Sequence, residues 1–302
     1  MLSVKTIDDK NSVLITCGLT TKSQSGSKPY IPNNAVYIFD FITNTYTLHS
    51  KLSSARVSHQ SATIGGSVCL FGGIRNKKKL SDNEVIPVGL KFTVPPMHNG
   101  RKDFGMCSFA GCVFVAGGAR SRIEIYANCE VYSAECGEWT EVSGMNARRC
   151  AFALKYFQGK VWAIGGASGT KVLDTVETYD LGENKWTTSD VRLLQKRVGH
   201  GAAVHGKKIF VIGGIINKVE ETRSVEVYSS VTNQFTRVAE MNLARSYFGC
   251  SVLGNKIFVF GGYLNVKQMS GSVEVYDVRK DVWSSGPSLP LPLASFGCSS
   301  SI

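Results

Sequence analysis

Features that would place the chain in a membrane or in the secretory pathway are missing from its sequence. None of the apolar runs in its 302 residues approaches the roughly 18 residues of a membrane-spanning helix. The N-terminal stretch carries acidic residues and lacks a small-residue cleavage pattern, and no N-x-[ST] acceptor occurs. These absences predict a cytoplasmic protein that does not contact a membrane, with the nucleus as the alternative location.

Cysteine and histidine do not occur at metal-ligand spacing. The chain has nine cysteines and no C-x-x-C, and its five histidines do not fall near cysteine pairs. Most of the cysteines lie in apolar runs such as MCSFAGCVFVAGG, which is typical of buried, reduced thiols in an intracellular protein. We therefore predict no bound metal.

Motifs of the common catalytic families are also missing. The sequence contains no G-x-S-x-G, H-E-x-x-H, G-x-G-x-x-G or P-loop pattern. The stretch nearest to the sialidase box S-x-D-x-G-x-T-W is DLGENKW at 180–186, which lacks the serine and the threonine. We predict that the chain is not an enzyme and needs no cofactor.

What the sequence does contain is a repeated pair of glycines, each placed after an apolar run. The complete pairs are Gly72-Gly73, Gly117-Gly118, Gly165-Gly166, Gly213-Gly214 and Gly261-Gly262, with spacings of 45, 48, 48 and 48 residues. A degenerate copy, Cys17-Gly18 after SVLIT, brings the number of units to six. Self-similarity at a nearly fixed period indicates a repeat architecture.

Other residues keep the same register as the glycine pairs. An arginine lies sixteen residues before each complete pair, and the aromatic residue of a VEVYD-like stretch is followed seven residues later by a second aromatic residue. These couples are Phe39 and Tyr46, Tyr132 and Trp139, Tyr179 and Trp186, Tyr228 and Phe235, and Tyr276 and Trp283, while the second unit has Val85 and Phe92 in these places. With turn residues between the apolar segments, each unit predicts four short strands.

Four strands repeated about every 50 residues are the pattern of a β-propeller blade. We predict an all-β fold, a single propeller over 1–302 with six blades of four antiparallel strands. Glycine suits the end of the second strand because neighbouring backbones approach closely there, and the aromatic residues fill the space between blades. The predicted blades are approximately 7–50 with 293–302, 51–97, 98–145, 146–193, 194–241 and 242–290.

The C-terminal tail predicts how the ring closes. LASFGCSSSI (293–302) repeats RSYFGCSVL with a shift of 48 residues, as a first strand with no second strand after it. A circular fold must join its ends to avoid an open sheet edge. We predict that this strand pairs with SVLIT of the first blade, where Leu293 replaces the repeated arginine. LSVKT (2–6) also falls in register before SVLIT and is the competing candidate.

Together, the glycine pair, the Glu-x-Tyr of the third strand, the Tyr-to-Trp spacing and the preceding arginine resemble the kelch repeat over essentially the whole chain. The resemblance implies a six-bladed kelch β-propeller that binds another protein. The repeat pattern most resembles the kelch domains of kelch-like proteins. In those proteins the kelch domain follows BTB and BACK domains, and its ring closes in the same way. This resemblance implies the substrate-recognition domain of a cullin–RING ubiquitin-ligase adaptor. On this expectation, either the chain is part of a longer protein or the protein is a propeller alone.

The five repeated arginines are predicted to lie near the mouth of the central channel, because each precedes an innermost strand. Arginines at this repeat position contact acidic peptides in some kelch-like adaptors, so the resemblance implies an arginine-lined basin for an acidic peptide, in keeping with the net charge of +11. The candidates are Arg56, Arg101, Arg149, Arg197 and Arg245. The alternative is an architectural role, in which they bond loop carbonyls or pair with third-strand glutamates such as Glu130, Glu177, Glu226 and Glu274.

Positions that differ between blades predict where specificity arises. Tyr263, directly after the last glycine pair, and Tyr247 and His200, near the predicted mouth, are further partner-binding candidates, with ordinary loop packing as the alternative. The polar loop 19–33 is the longest and predicts a mobile loop at the binding face, although tolerated slack explains it equally well. RNKKK at 75–79 is interpreted as a solvated loop tip rather than a nuclear signal or nucleic-acid patch.

Two other functions stay open at this point. Kelch proteins also include actin-binding or cytoskeletal scaffolds, which is the alternative binding role. A kelch-type enzyme is a minor alternative, since the tyrosine and histidine ligands of the copper galactose oxidases cannot be assembled from this sequence. Nucleic acid is not a predicted partner, because no stripe of aromatic residues alternates with basic ones.

Overall fold

The structure is a computed structural model that describes residues 12–21, 30–86, 93–121, 123–217, 219–265 and 268–300. All regular secondary structure in these residues is β, and none of them forms a helix able to cross a membrane. Six antiparallel sheets, the blades, stand around a central axis. Each innermost strand contacts the innermost strands of both neighbouring blades, in a closed order that returns from the last blade to the first. The predicted six-bladed propeller is confirmed.

The strands follow one another in the order expected for blades. In the first three blades they are β1 (Ser12–Thr21), β2 (Tyr30–Asp40), β3 (Thr45–Lys51); β4 (Gln60–Ile64), β5 (Ser67–Phe71), β6 (Ile74–Arg75), β7 (Lys78–Lys79), β8 (Asn83–Ile86); and β9 (Gly105–Phe109), β10 (Cys112–Ala116), β11 (Cys129–Ser133), β12 (Glu138–Val142). In the fourth and fifth they are β13 (Ala153–Phe157), β14 (Lys160–Ile164), β15 (Ala167–Ser168), β16 (Lys171–Val172), β17 (Thr175–Asp180), β18 (Lys185–Arg192); and β19 (Gly201–His205), β20 (Lys208–Ile212), β21 (Ile215–Ile216), β22 (Glu220–Glu221), β23 (Val225–Ser229), β24 (Gln234–Val238). The sixth has β25 (Gly249–Leu253), β26 (Lys256–Phe260), β27 (Tyr263–Leu264), β28 (Gln268–Met269), β29 (Val273–Asp277) and β30 (Val282–Gly286), and β31 (Gly297–Ser300) ends the described chain.

The ring closes through the C-terminal strand. β31 pairs antiparallel with β1, from Val13 opposite Ser300 to Thr16 opposite Gly297, so the first blade has the order β3-β2-β1-β31. The predicted closure by the tail is therefore confirmed. The competing segment 2–6 lies outside the described residues.

The glycine pairs end the second strands with backbone conformations that favour glycine. In the third blade Gly117 has φ +59° and Gly118 has φ +89°. A Cβ on Gly117 would lie 2.5 Å from the carbonyl oxygen of Arg149 in the next blade. Both a left-handed conformation and a close backbone approach therefore require glycine here.

Aromatic residues of the outer strands tie four of the blades to the preceding one. The Trp139 indole donates to the Pro95 carbonyl at 2.8 Å, Trp186 to Ser143 at 2.9 Å and Trp283 to Ala239 at 2.8 Å. In the first blade Tyr46 does the same through its hydroxyl, which donates to the Pro287 carbonyl at 2.9 Å. These bonds satisfy the polar atoms of large side chains that otherwise pack between blades.

One detail of the predicted register is wrong. In the second blade Ile86, and not Val85, takes the place of the third-strand aromatic residue, because Val68 lies opposite Ile86 as Val113 lies opposite Tyr132. Ile86 lies 30 residues after Arg56, as Tyr179 lies 30 residues after Arg149, whereas the predicted Val85 lies only 29 residues after Arg56. Phe92 lies outside the described residues.

The five repeated arginines are buried inside the blades, with relative exposures of 0–1%. In the fourth blade the Arg149 guanidinium donates to the carbonyls of Gly165 and Thr175, both at 2.9 Å, and to the Glu177 carboxylate at 2.7 Å. The other pairs are Arg56–Glu84, Arg101–Glu130, Arg197–Glu226 and Arg245–Glu274, with N–O distances of 3.3, 2.7, 2.5 and 2.9 Å. Burial lowers the pKa of Arg149, and the partner carboxylate opposes this effect.

The same arginine residue also links two blades through its backbone. The Arg149 carbonyl accepts from the Gly118 amide of the preceding blade at 2.8 Å, while its guanidinium bonds Gly165 of its own blade. The Glu177 carboxylate in turn accepts from the backbone amides of Asn146 and Ala147, which lead into the blade. We call this set of contacts the arginine node.

The first blade lacks both charged members of the node. Leu293 stands in place of the arginine and is fully buried. Tyr37, opposite Ile15, stands in place of the glutamate that lies opposite Ala163 in the fourth blade. The backbone link survives, because the Leu293 carbonyl accepts from the Gly262 amide at 2.8 Å. Losing both charges together avoids leaving one of them buried without a partner.

The arginine node predicts non-additive stability. We expect Arg149→Leu and Glu177→Tyr each to lower the free energy of unfolding by about 3 kcal/mol or more, since each strands the other charge. The double variant copies the first blade and should lose at least about 1 kcal/mol less than the sum of the single losses. Chemical denaturation of the four proteins measures this coupling, and strictly additive losses would contradict it.

The closing strand predicts a second outcome. Truncation after Pro292 removes the partner of β1 and should abolish the cooperative thermal transition, because the ring then has an open edge. Truncation after Ser300 retains every pair between β1 and β31 and serves as the control. A truncated protein that melts like the full chain would show that another segment closes the ring.

Candidate functional site at the hairpin face

The propeller has two faces with different content. One, which we call the hairpin face, carries the glycine pairs, the two-residue strands that follow them and the linkers that contain the arginines. The other, the turn face, carries the turns between first and second and between third and fourth strands. On the hairpin face each residue after a glycine pair forms a bridge with a linker residue, such as Lys102 with Ala119 and Leu19 with Ala294.

A ring of six backbone hydrogen bonds surrounds the axis at the hairpin face. Each blade provides one residue whose amide donates to the carbonyl of the preceding member, with N–O distances from 2.7 to 3.3 Å. The members are Ser58, Asp103, Ala151, Gly199, Tyr247 and Ser295, with φ from +49° to +65°. Five of the six are not glycine, so the ring holds backbone strain that the closed set of bonds offsets.

The predicted arginine-lined mouth is wrong as a geometric feature. The node arginines lie inside the blades and are bound by carboxylates and carbonyls, so they do not face a shared opening. Their architectural interpretation agrees with this geometry. Contact between a partner and these five residues stays an untested prediction, and their burial does not favour it.

Tyr247 and Tyr263 come together on the hairpin face. Their rings meet edge-on with centroids 6.2 Å apart, and both residues are half-buried. Burial raises the pKa of the Tyr247 hydroxyl, with smaller effects of Asp103, Cys150 and Tyr263 in the same direction. The Tyr247 ring also covers Gly199, where a Cβ would lie 2.8 Å from its Cε2 atom.

His200 is a packing residue rather than an accessible one. It is 8% exposed and occupies the position where four other blades have phenylalanine, with His59 as the sixth member of the set. Burial, reinforced by the neighbouring Arg197, lowers the pKa of His200 to about 3. Burial and Arg56 lower that of His59 to about 3 as well, although His59 bonds the Thr16 hydroxyl at 2.9 Å.

Cationic side chains of the second and third blades are accessible on this face. Lys77 and Lys78 are exposed on the hairpin of the second blade, and Lys102 and Arg120 lie on adjacent segments of the third. Arg120 is 68% exposed and pairs with Glu124 at 3.6 Å, and the side chain of Lys102 pairs with Asp103 at 2.9 Å. We call these four residues the cationic sector. Sequence reasoning missed Arg120 as a candidate. Its position could have indicated it, because it lies two residues after the glycine pair Gly117-Gly118.

The long first loop is partly ordered into the blade. Leu19–Thr21 and Tyr30–Asn33 extend β1 and β2 as a hairpin, after a register shift between Thr16 and Gly18. The predicted mobility of the loop concerns mainly residues 22–29, which lie outside the described part of the chain.

The channel widens from the hairpin face toward the turn face. Cavities of about 90, 130 and 310 Å³ follow one another, and innermost strands from every blade contribute to the walls. Within the described residues, no three His, Cys, Asp or Glu side chains form a group that could hold a metal ion.

The buried histidines predict acid sensitivity. Because their folded pKa values lie below the usual 6.5, stability is retained above about pH 6.5 and falls as the pH drops toward 3. We expect wild type to lose about 2 kcal/mol per histidine between pH 7 and 5. His200→Phe should remove about half of this loss. His205→Gln, at a half-buried site on the strand that follows His200, is the control, and an unchanged pH profile in His200→Phe would contradict the assignment.

Comparisons with known proteins agree with this architecture. The sequence model of the KLHDC2/KLHL20/DRC7 Kelch-repeats domain matches residues 7–214 and 97–262, and the Kelch motif matches 244–290. Kelch-like protein 26 of Danio rerio is 30% identical over 39% of this chain and 19% of its own length. Kelch-like protein 23 of Homo sapiens is 25% identical over 72% of this chain and 38% of its own length. Beta-scruin of Limulus polyphemus is 23% identical over 73% of this chain and 27% of its own length.

A solved structure shows the same fold. "Structure of YjhT" superimposes with a TM-score of 0.70 at 12% identity, over 81% of this chain and 87% of that one. The matched segments span well under half the length of the relatives named above. With family-model matches over most of its length, the chain belongs to the kelch-repeat family.

Proposed function

We propose that the chain is a protein-interaction domain whose hairpin face binds an acidic peptide segment of a partner protein. The observation that carries the proposal is the cationic sector, which is accessible where the node arginines are not. Each node arginine is matched by a glutamate, so the net charge of +11 arises entirely from other residues. Exposed cations attract an acidic segment through a field that salt screens.

The half-buried tyrosine pair supports the same face. Tyr247 and Tyr263 offer aromatic surface with polar hydroxyl groups, a combination enriched in protein interfaces. Cations on one side of the axis and aromatic rings in the sixth blade would let a peptide crossing the ring make both kinds of contact.

Within this function, we propose the role of substrate recognition in a cullin–RING ubiquitin-ligase adaptor. The similarity to kelch-like proteins supports this role. Cytoskeletal scaffolding is the competing binding role. Expression of the full gene product in cells and measurement of a co-purifying cullin tests the adaptor role, whereas co-sedimentation with F-actin at physiological salt would contradict it.

The peptide proposal is tested by matched charge reversals. Fluorescence anisotropy with a labelled peptide rich in Asp and Glu should show binding that weakens as salt rises. Lys77→Glu with Lys78→Glu should weaken binding at least about 10-fold. Lys207→Glu with Lys208→Glu makes the same charge change at exposed residues of the turn face and should weaken it less than about 3-fold. Equal losses in the two variants would show that only net charge matters and would sink the proposal.

A further inference from the structure

One lysine stands alone in the wall of the central channel. Lys155 is the only charged side chain among the described residues that line the 310 Å³ cavity. It is half-buried, and its ammonium makes no hydrogen bond or ion pair with any described residue. Most of the other lysine and arginine side chains outside the arginine nodes are exposed on the surface. Because Lys155 is half-buried and has no partner among the described residues, we expect its negative counter-charge to come from outside the chain.

The strand register leaves room around this ammonium. Lys155 is the third residue of its innermost strand, and the residues at the same level in the other five blades are all small. They are Ala62, Cys107, Ala203, Ser251 and Ser299. One long cationic side chain therefore shares a layer of the channel with five short ones.

Groups that donate hydrogen bonds lie in the same part of the channel. The hydroxyl of Ser299 is buried and has no partner among the described residues, and that of Ser251 lies in the same layer. No aspartate or glutamate of the described chain lines this cavity. A cation and hydroxyl donors, without a competing carboxylate, are the chemistry that binds an oxyanion.

The thiols around the lysine are consistent with this position. Burial raises the pKa of Cys107 to about 12 and that of Cys250 to about 11, and in both cases Lys155 opposes the shift. The thiols therefore stay protonated and neutral at ordinary pH, and they supply no negative charge to the ammonium.

We propose that the wide part of the channel is a binding site for a small carboxylate- or phosphate-bearing molecule, with Lys155 as its counter-ion. The cavity holds the volume of about ten waters at roughly 30 Å³ each, which such a molecule would partly displace. Low-dielectric walls strengthen the attraction relative to a surface lysine. The site lies on the axis and does not depend on peptide binding at the hairpin face.

Isothermal titration with citrate and with inorganic phosphate, at constant ionic strength set by chloride, tests the site. We expect saturable binding of at least one anion with one site per chain. Lys155→Met should weaken it at least about 10-fold, since it removes the charge and keeps the length. Lys160→Met, at an exposed lysine that pairs with Asp180 outside the channel, should change it less than about 2-fold.

Folding and selectivity are checked with the same proteins. Without anion, Lys155→Met should melt at the same or a higher temperature than wild type, because an unpaired cation is removed. Citrate should protect Lys155 from acetylation by acetic anhydride, as measured by mass spectrometry, and should leave Lys160 reactive. Absence of saturable binding, equal losses in the two variants, or displacement of citrate by an acidic peptide would each overturn the proposal.

Discussion

The buried pair of arginine and glutamate is the interaction on which the blades depend. A guanidinium has five donors in a rigid fork, and in the node they meet a carbonyl of the glycine loop, a carbonyl of the third strand and a carboxylate. The carboxylate also accepts hydrogen bonds from backbone amides of the linker that enters the blade. A buried ion pair by itself contributes little, because desolvation offsets attraction. Here the pair serves to position the backbone. The arginine side chain holds the linker, the glycine loop and the third strand together, and the arginine backbone bonds the preceding blade.

Repetition of this node has a direct consequence for function. A feature present in five blades serves the ring as a whole. It withdraws the five arginines and four of their glutamates from the surface, while the fifth glutamate, Glu84, stays 19% exposed. What distinguishes one part of the molecule from another is deviation from the repeat. Lys155 among small residues and two histidines among phenylalanines are such deviations inside, and the cationic sector is one outside. The first blade, without arginine and glutamate, shows that the architecture tolerates the loss of both charges but offers no example of losing one.

The ring at the hairpin face is a second constraint of the closed geometry. Six residues in left-handed conformations satisfy one another's backbone groups around the axis, and no single blade can make such a bond. The strain of each member is acceptable only because its neighbours are held in place. The same closure hides the unpaired inner edges of the six first strands in the channel, where water or a small ligand can satisfy them.

The number of blades, the four-strand unit and the preferred closing strand were predictable from the sequence, because glycine pairs, aromatic residues and turn residues are local requirements that recur at a nearly fixed period. It also contained both explanations of the arginines, since Glu130 and Glu177 were visible as partners. The choice between a charged rim and a buried node required the three-dimensional structure, because burial of the arginine depends on how the third strand, the linker and the glycine loop converge. The shift from Val85 to Ile86 and the isolation of Lys155 have the same origin. Each depends on contacts between strands that meet only when the ring is closed. The repeat period along the chain does not specify which way a side chain points or which residue it contacts.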